Sequence, residues 1–247
     1  MSESENAAHQ ASVHERSAHV RGLVLAAGAG RRMGGPKALI RRHPNDPTLV
    51  ESAVRLLHDG GCAGITVVVG AAGPEVTAIV TALGRDIDVV TCHDWYEGMG
   101  ASLRSGLTAL ARASHEGEAR VDAVLVTLVD LPDLTPEVVA RVLDAPGHVD
   151  NAHSPHPHPD EHAVDVHQSS APAIPELRAT LRRAAYDGVP GLPALIGRDH
   201  WEGVVATAVG DHGARNYYRA HPHELVECGD LATGRDADTP GDLDTSR

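Results

Sequence analysis

Four short apolar runs alternate with stretches of helical period through the first half of the chain, and that alternation leaves little option but a parallel sheet wrapped by helices. The runs are residues 20–27, "GITVVVG" at 64–70, "IDVVTC" at 87–92 and "DAVLVTLVD" at 122–130. Between them Val50, Val54 and Leu57 share one helical face, as do Val76, Ile79, Val80 and Leu83, and then Leu103, Leu107 and Leu110. After the fourth run, Thr135-Pro136-Glu137 predicts an N-cap with Pro at the first helical position, turning Val138, Val139, Val142 and Leu143 inward. The chain has no Phe, two Trp and four Tyr, so its core must be aliphatic, which suits α/β layers. The expected architecture is a three-layer α/β domain with a mostly parallel sheet of order 3-2-1-4, continuing into C-terminal strands.

At 247 residues one large domain over residues 20–247 is expected, preceded by a flexible polar tail at 1–19 that has no apolar signal core. Residues 146–172 break the pattern, with six of the 17 histidines and several prolines, and read as a solvated insertion rather than a metal cage. Beyond it the spacing predicts a helix near 175–186, an apolar segment "PALIG" at 193–197, a helix around Trp201 to Val209 and a final strand "ELVEC". Cys62, Cys92 and Cys228 are far apart without a C-x-x-C pair, which fits a reducing cytoplasm. No run approaches the roughly 18 to 20 apolar residues of a membrane span. A formal net charge of -13 disfavours nucleic acid as a partner, so any phosphate ligand must be held by local groups.

Local groups of that kind follow the first run. "LVLAAGAGRRMGGPKALI" places four glycines, Arg31, Arg32 and Lys37 directly after a buried strand. A P-loop is excluded by Pro36, which stands where its lysine belongs, and the dinucleotide fingerprint is excluded by one residue too many between Gly30 and Gly34. What remains is a loop whose small residues let backbone N–H groups approach an anion while Arg32 and Lys37 supply charge; the plain alternative is a strand-to-helix turn.

In a doubly wound sheet the first and fourth strands are neighbours, and ligands bind outside their carboxyl ends. Asp130 ends the fourth strand there. A carboxylate beside a phosphate loop suits Mg²⁺, which is commonly held by one or two carboxylates plus substrate oxygens; Asp236 or Asp238 of the acidic "DADTPGDL" segment is the candidate second ligand.

Six segments in order, "LAAGAGRRMGGPKAL", "EGMGASLRSGL", "LVDLPDLTPEVV", "PALIGRDHW", "GDHGARNYYRAHP" and "DADTPGDL", resemble the molybdenum cofactor cytidylyltransferases and their molybdopterin guanylyltransferase-like relatives over about residues 20–244. The resemblance implies a Rossmann-like nucleotidyltransferase fold in which Leu25, Ala26, Ala27 and Gly28, with Arg32 and Lys37, hold a nucleoside triphosphate. It implies that Ser102 faces the nucleotide, that Asp130 and the acidic pair Asp236 and Asp238 hold Mg²⁺ or Mn²⁺, and that Asp211 to Arg215 lie toward the acceptor. Arg32, Lys37 and Asp130 then carry the chemistry, with Lys37 expected to be exposed in the free protein. The guanylyl-transferring branch has Gly-Gly where this chain has Ala26-Ala27, which favours CTP. The implied partners are the nucleotide and a small phosphorylated acceptor such as molybdopterin, with a molybdoenzyme or its chaperone as recipient. Two departures fall near the base and acceptor sites: Leu131 stands where the family has Gln, and Leu192 where it has His. Transfer to a sugar 1-phosphate or phospho-lactate, or a carrier without turnover, stays open, while a dehydrogenase is disfavoured by the glycine spacing.

Overall fold

The computed structural model describes residues 19–84, 86–115, 120–145 and 174–244. The expected N-terminal tail, except His19, and the His- and Pro-rich stretch at 146–172 lie outside the described residues.

The four apolar runs form β1 (Val20–Ala26), β2 (Gly64–Val69), β3 (Ile87–Thr91) and β4 (Ala123–Leu128), all parallel in the order β3-β2-β1-β4. Leu25, next to last in β1, pairs with Val68 on one side and Leu128 on the other, so the carboxyl ends of β1 and β4 open side by side. The helical periods form α1 (Leu49–Asp59), α2 (Gly73–Thr81), α3 (Met99–His115) and α4 (Pro136–Asp144). Alternation along β1 divides the core. Val24 and Ala26 face the layer built from Val50, Val54, Val76 and Val139, while Leu23 and Leu25 face the layer built from Leu103, Leu107 and Leu110. Thr48 and Glu51 close a capping box at the start of α1. Thr135 is the N-cap of α4 by backbone conformation and Pro136 its first residue, although the Thr135 side chain makes no capping bond.

The second half departs from the sequence expectation at one element. Instead of a helix over 175–186 there is a single helical turn, α5 (Ile174–Arg178), followed by a strand, β5 (Leu181–Tyr186). Arg and Ala favour helix locally, but here sheet burial decides. β5 lies between β6 (Val189–Gly197), antiparallel to it, and β7 (Glu224–Glu227), parallel to it. Leu181, Ala184, Ala185 and Tyr186 are all buried. The hairpin turn is Asp187-Gly188, both at positive φ, as a two-residue turn between twisted strands requires. Arg182, buried mid-strand, finds acceptors on every side: its Nε donates to Glu224 Oε2 at 2.7 Å and its Nη1 to the Val142 carbonyl at 2.9 Å, at the end of α4.

β6 pairs antiparallel with β4, giving the full order β3-β2-β1-β4-β6-β5-β7 in a Rossmann-like α/β fold. α6 (Trp201–Thr207) and α7 (Arg215–Ala220) cover the α3 face, and α8 (Pro240–Asp244) ends the described chain. Cys62, Cys92 and Cys228 are buried and free of disulfides. No helix among the described residues is long and apolar enough to cross a membrane.

Because Arg182 is the polar tie between β5, β7 and α4, Arg182→Met is expected to cost about 3 to 5 kcal/mol through the carboxylate and carbonyls it leaves unpaired. Urea unfolding should show the loss as a lowered midpoint at unchanged slope; a midpoint within error of wild type would show that packing alone holds β5.

Candidate active site

The loop after β1 is shaped by a glycine that no other residue can replace. Gly30 sits at φ +56°, and a Cβ there would lie 1.9 Å from the Gly35 carbonyl oxygen. Its own carbonyl accepts from the N–H groups of Met33 at 2.9 Å and Gly35 at 3.2 Å, closing the loop into a tight cradle. Two short 3-10 turns follow, Arg31–Met33 and Lys37–Leu39, and carry the two cations onto the carboxyl edge of the sheet.

Lys37 is not exposed, contrary to the sequence expectation: its side chain keeps only 17% of its surface accessible. Its Nζ donates to Asp130 Oδ2 at 2.6 Å and to Asp238 Oδ1 at 2.8 Å. Burial alone would lower the pKa of the ammonium, but the two carboxylates more than offset this and hold it above its ordinary value. Arg32, 81% exposed, reaches Asp238 at 3.6 Å. Asp130 follows the end of β4, and its carbonyl accepts the Ala237 N–H at 2.8 Å, which pins the C-terminal segment against the end of the strand. Ala237 is buried in the core beneath, while Asp236 and Asp238 on either side of it are exposed.

These groups border a cavity of about 560 Å³. Leu25, Ala26, Ala27 and Gly28, Arg32 and Lys37, Asp130, Asp238 and the buried Ser102 all line it. Gly98, at φ +108° against the Gly210 backbone, leads into α3, whose first turn also lines the cavity and directs a partial positive charge there. Trp95 and Tyr96 form an aromatic wall missed by reading the sequence; Tyr96 is 68% exposed. Two adjacent aromatics in a chain with six in all were a usable signal.

A second cavity of about 240 Å³ adjoins the first, sharing Leu25, Met99, Leu128 and Asp211 with it. Asp236, Arg183 and Arg215 line this smaller space, so the structure divides the expected acidic pair: Asp238 faces the larger cavity and Asp236 the smaller. Asp236 retains exposed surface, yet the surrounding protein desolvates it and the negative charges of Asp130 and Asp238 add to that, raising its pKa. Asp238 goes the other way, held low first by the Lys37 hydrogen bond and charge.

A divalent cation fits this donor set. Asp130 Oδ1 is buried and has no hydrogen-bond partner among the described residues, which is the state of an oxygen reserved for a ligand. No three His, Cys, Asp or Glu side chains among the described residues are gathered into a metal cage. The protein thus offers separate hard carboxylate oxygens, the manner in which Mg²⁺ is held beside substrate phosphates.

The family model for the MobA-like NTP transferase domain matches residues 22–225, from β1 through the β6, β5 and β7 half of the sheet. The chain belongs to this family. Among curated relatives it is 34% identical over 225 residues to nicotine blue oxidoreductase of Paenarthrobacter nicotinovorans, covering 89% of this chain and 92% of that one. It is 32% identical over 231 residues to the bifunctional IPC transferase and DIPP synthase of Rubrobacter xylanophilus, covering 89% of this chain but 49% of that longer protein. Among solved structures, Rv0371c of Mycobacterium tuberculosis H37Rv shares the fold with a TM-score of 0.63 at 24% identity, covering 93% of this chain and 100% of that one. A second structure of that protein, in complex with manganese, aligns with a TM-score of 0.55 at 22% identity over 89% and 94% of the two chains. By family the chain is thus a MobA-like NTP transferase domain.

The opposite shifts of the two carboxylates give opposite effects on stability. A carboxyl group held above its ordinary pKa binds more protons folded than unfolded, so the Asp236 contribution falls as pH rises from its unfolded value through its raised folded one. Asp238, held low, adds stability that is present at neutral pH and is lost as pH falls through its folded value. At pH 7 Asp236→Asn is expected to raise stability and Asp238→Asn to lower it, each by less than about 1 kcal/mol because solvent screens both groups. Calorimetry at low salt checks the signs; the same sign for both would refute this account of the acidic pair.

Proposed function

We propose that the chain transfers a nucleoside monophosphate, with CMP favoured, from a nucleoside triphosphate to a small phosphorylated acceptor. Molybdopterin is the first acceptor to test; a sugar 1-phosphate or phospho-lactate comes next. The observation that carries the proposal is the meeting of the basic loop with Asp130 and Asp238 across one cavity, through Lys37. Ala26-Ala27, in place of the paired glycines of guanylyl-transferring relatives, supports CTP.

In the proposed reaction an oxygen of the acceptor phosphate attacks the α-phosphorus in line. The bond from that phosphorus to the bridging oxygen of the β-phosphate breaks, and pyrophosphate leaves with the electron pair. An acceptor phosphate is largely dianionic at neutral pH, so the attacking oxygen needs no base. Lys37 and Arg32 supply the positive charge that a leaving pyrophosphate needs, and Gly30 shapes the loop so that backbone N–H groups approach the phosphates closely. A divalent cation held by Asp130 with Asp238 or Asp236 would offset charge on the phosphate oxygens. Tyr96 and Trp95 offer a face on which a base can stack.

A redox reading has one specific support, the relative named an oxidoreductase. Against it stands the glycine spacing after β1, which does not form the dinucleotide fingerprint. Pyrophosphate release with Mg²⁺, CTP, GTP and candidate acceptors, run beside NADH and NADPH oxidation on the same preparation, separates the two reaction classes.

CTP is expected to bind more tightly than GTP by calorimetry, and a GTP preference would sink the nucleotide assignment. Lys37→Ala is expected to lower kcat/KM by about 100- to 1,000-fold, the scale of one lost charge-stabilising donor. It should also lower stability, since Asp130 and Asp238 are left facing each other. Asp130→Asn should abolish turnover, and combining it with Asp236→Asn should cost far less than the product of the single losses, as expected of groups acting as a unit. Full multiplicativity would show that the two carboxylates act separately.

A further inference from the structure

The aromatic wall of the larger cavity stands on a short 3-10 turn, Trp95–Glu97, and only one of its two rings is seated on the core. Trp95 packs against the α3 layer, and a Cβ on Gly70, which follows β2, would lie 2.7 Å from Trp95 Cβ. Tyr96 is 68% exposed, and its hydroxyl lies 3.4 Å from the carboxylate of Asp94, its near neighbour in the chain. The turn joins α3 through Gly98, at φ +108°, and a glycine joint leaves the backbone wide freedom. A side chain of α3 takes up that freedom. Arg104 donates from Nη2 to Glu97 Oε2 at 2.8 Å and from Nη1 to the Ala208 carbonyl at 2.6 Å. A guanidinium is a planar fork, so bonds from its two terminal nitrogens set the separation of the carboxylate and the carbonyl.

The carbonyl end of this clamp is a fixed point. Ala208, fully buried, follows α6, and the chain beyond it runs along the start of α3 with no room for a methyl group between them. A Cβ on Gly100 would lie 2.8 Å from the Ala208 carbonyl carbon, and one on Gly98 2.7 Å from that of Gly210. Close backbone packing therefore holds the segment from Ala208 to Gly210, and the aromatic turn is referred to it through Glu97. The side chains of Arg104 and Glu97 are 31% and 48% exposed, and an ion pair so open to solvent adds little to stability. Neither residue lines either cavity. We propose that Arg104 is a positioning residue for the nucleoside: acting through Glu97, it holds the turn of Trp95 and Tyr96 at a set distance from Ala208 and so presents their rings to a base. The proposal deepens the transfer reading and rests on it for a nucleoside triphosphate in the larger cavity.

The test is calorimetric binding to the full chain with Mg²⁺, using CTP and inorganic tripolyphosphate, which carries three phosphates and no base. Glu97→Ala keeps the Arg104 bond to Ala208, so it guards against a folding defect in Arg104→Ala, and the second probe corrects for the changed charge. Each variant should weaken CTP by about fivefold or more, the scale of one lost stacking contact, and leave tripolyphosphate within about twofold. The double variant should bind CTP within about twofold of Arg104→Ala, since the two side chains act through one bond. Without ligand, acrylamide should quench Trp95 emission more in both variants than in the unaltered chain; Trp201 is buried and contributes little to the quenched fraction. A merely structural role would instead lower the thermal midpoint and weaken both probes alike. Equal losses for the two probes, CTP binding indifferent to Glu97→Ala, or multiplicative losses in the double variant would overturn the assignment and leave the nucleotide reading standing. Failure of both probes to bind the unaltered chain would overturn that reading, and this proposal with it.

Discussion

Lys37 joins three parts of the chain that are far apart in sequence. Its ammonium bonds Asp130, 93 residues away, and Asp238, 201 residues away, while the backbone of Ala237 bonds that of Asp130. Without the cation, two carboxylates would face each other at the edge of a partly desolvated cavity, and like charges so placed repel by several times what they would in bulk water. With it, the basic loop, the end of β4 and the C-terminal segment are fixed as one surface. The ammonium that neutralises two aspartates here would be free for phosphate oxygens if a bound cation engaged those aspartates instead.

Asp236 and Asp238 show how one short extended segment serves two spaces. Ala237 between them is anchored in the core, so its neighbours must emerge at the surface, one toward each cavity. Asp238 is stabilised by Lys37, whereas Asp236 sits where burial and like charge oppose its ionisation. Asp236 therefore ionises less readily than Asp238, two residues on.

Much of the first half was legible because its signals are local. Apolar runs of strand length, and helical faces repeating at three and four residues, do not depend on distant partners, so β1 to β4 and α1 to α4 follow from them. The loop glycines and Asp130 were legible for the same reason, since strand order alone brings them together. β5 was not. "LRRAAY" has helix-forming residues, and the buried Arg182 satisfies its donors only through Glu224 and the end of α4, both remote in sequence. The Asp187-Gly188 turn was the signal available for a hairpin, and it outweighs the Ala-Arg composition. The partial burial of Lys37 was illegible too, because both of its partners come from elsewhere in the chain, as was the meeting of Arg183 and Arg215 in one cavity.

The two cavities meet at Leu25, Met99, Leu128 and Asp211, and this shared wall sets what chemistry can pass between them. Three of these residues are apolar, and a low-dielectric boundary strengthens any charge interaction across it. Positive charge lies on both sides: Arg32 and Lys37 in the larger space, Arg183 and Arg215 in the smaller. Carboxylates lie near the junction, with Asp130 and Asp238 on one side and Asp236 on the other. Two anions drawn in from opposite sides would therefore approach each other over a rim of carboxylates that repels them both. In an in-line displacement between phosphate groups such repulsion adds to the barrier, and a cation held by these carboxylates would offset it. Of these acids only Asp236 is held in an unfavourable field, and a cation bound at the rim would relieve it.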